Sequence, residues 1–391
     1  MHARRGLGLA CLAALLAGCT SPAFTEVSNT PLSAHEPSLA AFADGFTVAW
    51  YDTRDGHGEI YARAVNPDGT AGGPEHQLTT GQNDAYEADV HALGATDFVV
   101  GWYEKTKEAA LLPRLGRWSR SGQERWVITL APAGRNTVVR VDGRLIFVAW
   151  VQNEAPDRAG VWAGWWTDEG LPAISARRVA DAGPTTWNLN AAVAPSSAPE
   201  APVGWVVFDA KAGTRAEELF AVEVGRAEAS VTRLTDDDGV SSKYPDVALS
   251  GTRLAVTWFD TLNGNEDIYL VVGRSDQLRR RDALTAAGPT RVTATAGHSI
   301  GAYLTWNGDR VGLAWCDDTE GQHEVYLESF DASGQPLGPA QRLTNTAAAS
   351  LIPAIEPWGQ GFALAWSEWT SGTEEHGGGG TGQVALQVVP R

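Results

Sequence analysis

Three stretches decide the fold: GFTVAWYDTRDGHGEIYARAV (Gly45 to Val65), RLAVTWFDTLNGNEDIYLVVG (Arg253 to Gly273) and RVGLAWCDDTEGQHEVYLESF (Arg310 to Phe330). Each runs from an apolar strand to Trp, x, Asp, a polar turn with Gly, an acid, Ile/Val-Tyr and a second strand. Weaker copies lie between them. Trp102 heads GWYEK, Trp150 heads AWVQN, Trp366 heads AWSEW, and Phe208-Asp209 aligns with Phe259-Asp260, which puts Val207 in the Trp position. The resulting series is Trp50, Trp102, Trp150, Val207, Trp258, Trp315 and Trp366. Such self-similarity at a period of about fifty residues is the signature of a repeat architecture.

Within one unit the pattern is four short strands. Pro37 to Ala40 forms an inner strand ahead of the Trp strand, Thr53 to Gly58 a turn, Ile60-Tyr61 a third strand, and Gln77 to Thr79 a fourth. Turn residues at regular intervals, without helical periodicity, predict an all-β chain. Four antiparallel strands per unit, seven times over, predict one seven-bladed β-propeller. The last unit ends on its third strand, Val384 to Val389. Glu26-Val27-Ser28-Asn29-Thr30 matches Arg342-Leu343-Thr344-Asn345-Thr346, so the first strand of the chain is expected to complete the last blade and leave no open edge.

The N-terminus MHARRGLGLACLAALLAGC has a basic start at Arg4 and Arg5 and an apolar stretch, Gly6 to Leu15. That stretch is too short for a bilayer, which needs roughly 20 residues. Leu16-Ala17-Gly18-Cys19 matches the bacterial lipobox. The expected organisation is a lipoprotein signal peptide (1–18), a lipidated Cys19 and tether (19–25), and a propeller (26–391). Thr20 is not the Asp that retains enteric lipoproteins at the inner membrane, so the resemblance implies the outer membrane.

The phrases WYDTRDGHGEIYARAVNPDG…HQLT and WCDDTEGQHEVYLESFDASG…QRLT resemble the TolB-type propeller repeat, with its turn, E-I-Y strand, D-G turn and closing R-L-T. The resemblance covers 45–80, 253–273 and 310–345 well and the other units loosely. It departs in using Trp where those repeats have Phe and in having seven units. It implies a fold, since propellers host many activities.

Net charge is −17, and loss of Arg4 and Arg5 with the leader would make it more negative. Such a surface disfavours nucleic acid. Cys316 would be the one thiol left, unable to form an internal disulfide, and is read as a small buried apolar residue.

The Trp series is read as packing between blades. Outside it, the adjacent Trp165 and Trp166 point to opposite faces, so that one of them could be an exposed stacking platform. Two residues past each slot stands an acid or amide: Asp52, Glu104, Gln152, Asp209, Asp260, Asp317 and Glu368. These are read as turn caps, with cation binding or acid–base work as the other use. Asp236-Asp237-Asp238-Gly239 is read as a solvated loop and Glu374 to Gly382 as a flexible hairpin tip.

The candidate ligand residues are the polar members of the inner strands, which line the central channel: Asp89, His91, Arg140, Asp246, Tyr303 and Glu356. They could recognise a small polar ligand or simply pair with one another. No H-E-x-x-H, G-x-S-x-G, zinc-spaced Cys/His cluster or sialidase Asp-box occurs. No catalytic residue, metal or cofactor is therefore assigned. The expected function is a lipid-anchored, monomeric, non-enzymatic envelope module for a protein or glycan partner. The alternative is a propeller hydrolase or lyase acting on polysaccharide.

Overall fold

A computed structural model describes residues 24–29, 33–155, 157–183, 186, 188–194, 202–226, 230–371 and 381–391. Seven four-stranded antiparallel sheets follow one another along the chain. Blade 1 is typical: Ala34–Phe42 innermost, then Gly45–Asp52, Glu59–Val65 and Ala71–Gln77. The other inner strands are Asp84–Leu93, Arg135–Asp142, Leu189–Val193, Ser242–Ser250, Ser299–Asn307 and Ala349–Trp358.

The slot series is the hub of each blade. All seven slot residues are buried. In three blades the slot Trp faces the Tyr of the E/D-I/V-Y strand directly across the hairpin, Trp50 to Tyr61, Trp258 to Tyr269 and Trp315 to Tyr326. These ring pairs are near-parallel, with centroids 5.8–6.2 Å apart. The constant sequence offset is thus a cross-strand register, and aromatic pairs in register stabilise the hairpin. Blade 4, with Val207 in the slot, moves the pair one place along to Phe208 and Phe220, 5.7 Å apart.

Apolar clusters fill all seven seams between blades. One of them joins the ends of the ring, packing Phe46, Trp50 and Leu39 of blade 1 against Ala363, Ala365 and Leu386 of blade 7. Closure follows the expected route. Thr25↔Leu386 and Glu26↔Ala385 pair antiparallel, and Val27 N–H donates to Val384 O at 2.7 Å. Thr25, expected in the tether, is the first residue of this strand. Phe24 packs edge-on against Trp366, 5.4 Å between centroids, because an aromatic ring gains more from the blade seam than from water.

Two features depart from the sequence reading. Between the third and outer strands of blade 5 lie a 3₁₀ turn, Ser275–Arg279, and one α-helical turn, Ala283–Ala286. Leu278 and Leu284 from these turns are buried against Trp205, Leu219 and Leu234, so two apolar anchors override the expected irregular connection. The second departure is that both members of the Trp165-Trp166 pair are buried. Trp165 packs 4.9 Å from Phe147 and Trp166 stands 6.4 Å from Trp150, since both faces of a third strand are covered by neighbouring blades. No stacking platform exists there. Cys19, the leader and all but Thr381 and Gly382 of the 374–382 tip lie outside the described residues.

Candidate functional site: the central channel

All six channel candidates line one cavity of about 590 Å³ on the propeller axis. The inner strands set its geometry. Six of the seven carry a residue with left-handed backbone near the strand start: Glu36, Glu87, Asn136, Tyr244, Gly301 and Ile352, with φ between 49° and 60°. Each coincides with a break in register against the Trp strand, as between Tyr86 and Asp89. A β-bulge at matched positions re-aims side chains towards the axis. Such backbone is disfavoured for a β-branched residue like Ile352 and clusters at functional sites.

The bulges divide the lining into three tiers. The mouth holds Glu36, Glu87, Asn136, Asn188, Tyr244, Gly301 and Ile352; two residues on come Ser38, Asp89, Asn190, Asp246 and Tyr303; two further on, His91, Arg140, Ala192, Ala248, Thr305 and Glu356. The sequence reading missed the mouth tier. Its signal was available: the mouth residue precedes the slot by fourteen positions in five blades, and Pro follows it in three (Pro37, Pro245, Pro353).

The middle tier straps blades together. Asp89 Oδ2 accepts Val139 N–H of blade 3 at 2.7 Å, and Asp246 Oδ2 accepts Leu304 N–H of blade 6 at 2.8 Å. Ser38 Oγ accepts Val90 N–H at 3.0 Å. The innermost strand has no sheet neighbour on its axial side, so these acceptors satisfy backbone donors that would otherwise face the channel. Asp246 Oδ1 also takes Val247 N–H at 2.8 Å.

Arg140 is fully committed. It donates to Asp89 (2.8 Å), Ala191 O (2.8 Å) and Asn190 Oδ1 (2.6 Å), spanning blades 2 to 4. The nearby carboxylates of Asp89, Asp246 and Glu356 outweigh burial and hold its guanidinium above the usual range. His91 donates from Nδ1 to Ala92 O at 3.2 Å; burial, then Arg140, pushes its pKa down, favouring the neutral ring. Burial pushes the Asp246 carboxyl up to about 6 against the two backbone donors and Arg140. It pushes Glu356 up to about 8 despite Arg140, with Asp89 and Asp246 adding to the rise. Burial and Asp246 likewise raise the Tyr303 hydroxyl. Neither Glu356 nor Tyr303 has a hydrogen bond or ion pair to the described residues. The six candidates thus divide: Asp89, Arg140, Asp246 and His91 are bonded within the wall, while Glu356 and Tyr303 face the cavity with polar atoms to offer.

The acids two residues past the slots lie outside the channel and bind locally. Asp52 accepts Ser33 Oγ–H (2.7 Å) and Arg54 N–H (2.9 Å); Asp317 accepts Ser299 Oγ–H (2.6 Å) and Thr319 N–H (2.8 Å). Trp50 and Trp150 donate their indole N–H to Asp52 and Gln152. Asp237 and Asp238 of the acidic loop accept Arg215 N–H and Val240 N–H at 2.8 Å. Among the described residues no group of three or more His, Cys, Asp or Glu is placed to hold a metal ion.

No family model matches the chain, and no curated protein matches it. Solved structures do. The phage phi92 endosialidase superposes with a TM-score of 0.54 at 7% identity, over 95% of this chain and 70% of that one. The GH93 α-L-arabinofuranosidase of Fusarium graminearum, solved with arabinobiose, gives 0.52 at 11% over 76% and 91%. The propeller domain of the Trilobed protease from Pyrococcus furiosus gives 0.50 at 8% over 88% and 97%. That domain is described as having an open velcro topology, whereas here Thr25–Glu26 shut the ring. At such identities the likeness establishes the fold: a seven-bladed, four-stranded β-propeller.

Proposed function

We propose that the chain is a lipid-anchored envelope propeller that works by binding rather than by turnover, with the central channel as its ligand site. The observation that carries this is the commitment of the channel's charged groups. Asp89 and Asp246 accept backbone N–H groups of the next blade, and Arg140 spends its donors on Asp89, Asn190 and a carbonyl. A general acid or base has to exchange a proton with its substrate; wall groups fixed in this way instead make a rigid, preorganised lining. The lipobox at Cys19 and the TolB-like repeats support a tethered envelope role, at the outer membrane, towards a protein or glycan partner.

A second reading, a hydrolase or lyase acting on polysaccharide, draws on a specific observation. Two carboxyls of one channel, Asp246 at about 6 and Glu356 at about 8, titrate apart, as an acid and a base should. Two of the superposable propellers are glycosidases by name. Incubating the purified chain with a polysaccharide panel separates the readings. Capture without product, in the wild type and in Glu356→Gln, supports the binder. Product formation that Glu356→Gln abolishes would establish the enzyme. Lipidation is tested by metabolic labelling with a fatty-acid analogue, which Cys19→Ser should eliminate.

A further inference from the structure

The two ends of the propeller differ. Inner strands run from the channel mouth to hairpin turns at the opposite end, as at Phe42↔Gly45 and Asn307↔Arg310. The acidic runs Asp236-Asp237-Asp238 and Asp317-Asp318 lie at the mouth end. The opposite end carries exposed apolar side chains. Leu171 ends the hairpin turn after the third strand of blade 3, Val231 opens the outer strand of blade 4, and Leu337 precedes the outer strand of blade 6; they are 59%, 44% and 51% exposed. Pairing places them: Leu145 with Thr167, Val222 with Val231, and Leu337 N–H on Ser329 O at 2.8 Å. A single exposed Leu needs no explanation, but three at the same end of blades 3, 4 and 6 form a rim.

Blade 5, between blades 4 and 6, carries at this end the turns Ser275–Arg279 and Ala283–Ala286. Arg274 to Arg281 holds four arginines and one acid, Asp276, in a chain of net charge −17. The four side chains are 52–74% exposed, and each has a partner. Arg279 pairs with Glu223 of blade 4, Arg274 and Arg280 share Asp276, and Arg281 shares Asp282 with Arg233. Five guanidiniums thus divide three carboxylates, and the cluster keeps a surplus of two positive charges with every pair intact. Arg279 also lies over the Trp205 ring, 4.9 Å from its centroid, which fixes the cluster to the body of blade 4. Of the acids at this end, Asp44 and Asp168 are answered by Arg120 and Arg144.

The anchor also enters from this end. Thr25 pairs antiparallel with Leu386, so the chain leading into it comes from the side of Val389, where Thr381–Val389 meets the end opposite the mouth. Five peptide units join Cys19 to Phe24, and fully extended they reach at most about 18 Å. From the level of Phe24 the strand runs roughly 20 Å to the mouth end but only about 7 Å to the other. A bilayer across the mouth is out of the anchor's reach, and one across the opposite end is within it. Resting on the reading of Cys19 as lipidated, we infer that this end is a docking surface for an anionic phospholipid bilayer. Leu171, Val231 and Leu337 enter the headgroup layer, and the Arg274 to Arg281 cluster faces its phosphates. Apolar side chains flanked by basic ones are what interfacial binding requires. The acidic mouth then points away from the bilayer, repelled by the same headgroups and open to its ligand.

Fluorescence quenching in the lipid-anchored protein tests this. Leu337→Cys is compared with Leu262→Cys, a mouth-end turn position that is 58% exposed. Each takes a thiol-reactive fluorophore, while the buried Cys316 stays unlabelled. The proteins are placed in phosphatidylglycerol–phosphatidylcholine vesicles that contain a headgroup nitroxide lipid. The label at position 337 should be quenched and the label at 262 should not. Arg280→Gln with Arg281→Gln should lower the quenching roughly fivefold per arginine at low salt, and pure phosphatidylcholine should lower it too. Leu171→Ser with Val231→Ser should reduce it at an unchanged thermal midpoint, and Arg158→Gln at the mouth end should leave it as it is. Equal quenching at both positions, or quenching at 337 that ignores phosphatidylglycerol and the arginine pair, would overturn the inference while leaving lipidation standing. A label at 337 shielded before vesicles are added, in a chain that runs as a dimer, would give the rim to a second copy and overturn it as well. If Cys19 takes up no fatty acid, quenching confined to 337 on added vesicles would still support the surface, and its absence would remove both readings.

Discussion

The backbone N–H of Val384 donates to the hydroxyl of Ser28 at 3.0 Å, across 356 residues of chain. This bond repeats a device used inside other blades. Ile60, Leu219, Ile268 and Val325 N–H donate at 2.8–2.9 Å to Thr79, Thr235, Thr293 and Thr344. The closing strand therefore imitates the outer strand of an ordinary blade down to one hydroxyl, and Arg63 clamps it from blade 1 through Val27 O at 2.7 Å. Ser28→Ala leaves a buried N–H without its acceptor and should cost about 1–3 kcal/mol. Ser28→Thr should restore the bond. The measurement is the guanidinium midpoint of the three proteins; an alanine variant as stable as wild type would mean the ring does not depend on this contact.

Thr235 does more than Ser28. Its hydroxyl accepts Leu219 N–H at 2.9 Å and donates to Glu218 Oε2 at 2.7 Å, all three residues being buried. Thr235→Val keeps the shape and removes both bonds, so one substitution strands a backbone donor and a carboxyl. A loss of about 2–4 kcal/mol is expected, larger than for Ser28→Ala. Combining it with Glu218→Gln should show coupling in a double-mutant cycle. Strict additivity of the two changes would contradict the shared network.

The shared network explains why so much of the fold was legible. Trp50 with Tyr61 is a contact at a fixed offset that recurs as Trp258 with Tyr269 and Trp315 with Tyr326, and Thr79 with Ile60 recurs at the same separation as Thr344 with Val325, so these blades write them into the sequence again. The closing strand was legible for the same reason, because Ser28 stands where Thr344 stands. The channel was legible only in part. Asp89, His91, Arg140, Asp246, Tyr303 and Glu356 were identified because inner strands must face the axis. Their division into wall-bonded and free groups depends on the next blade, through Val139 and Leu304, which lie some fifty residues on. The mouth tier was hidden by its chemistry: Glu36, Tyr244 and Ile352 share a left-handed backbone, not a residue type. Leu278 and Leu284 form helical turns for a reason that exists only once Trp205 and Leu219 are beside them.

Burial of acids gives the molecule an unusual pH profile. Folding raises the carboxyl of Glu356 to about 8, Glu218 to about 7, and Asp209 and Asp246 to about 6, in each case chiefly by desolvation. In the unfolded chain these groups ionise near 4. Between the two values the folded state binds more protons than the unfolded one, so stability falls as pH rises from about 4 towards 8. Opposing contributions come from His35 and His91, which burial lowers and which cost stability only as pH drops below about 6.5. Asp52, Asp97 and Asp317, also lowered, do so below about 4. The four raised acids outnumber the imidazoles, so the denaturation midpoint should climb as pH is taken from 8 to about 6. The slope has separable parts. Glu356 is the group still titrating above pH 7, so Glu356→Gln should flatten the curve between 7 and 8, while Glu218→Gln should flatten it between 5 and 7. Denaturant titrations at half-unit pH steps read this directly. A midpoint that rises from pH 6 to 8 would mean that these carboxyls are solvated in the folded protein, and that the channel holding Glu356 is wide open to water.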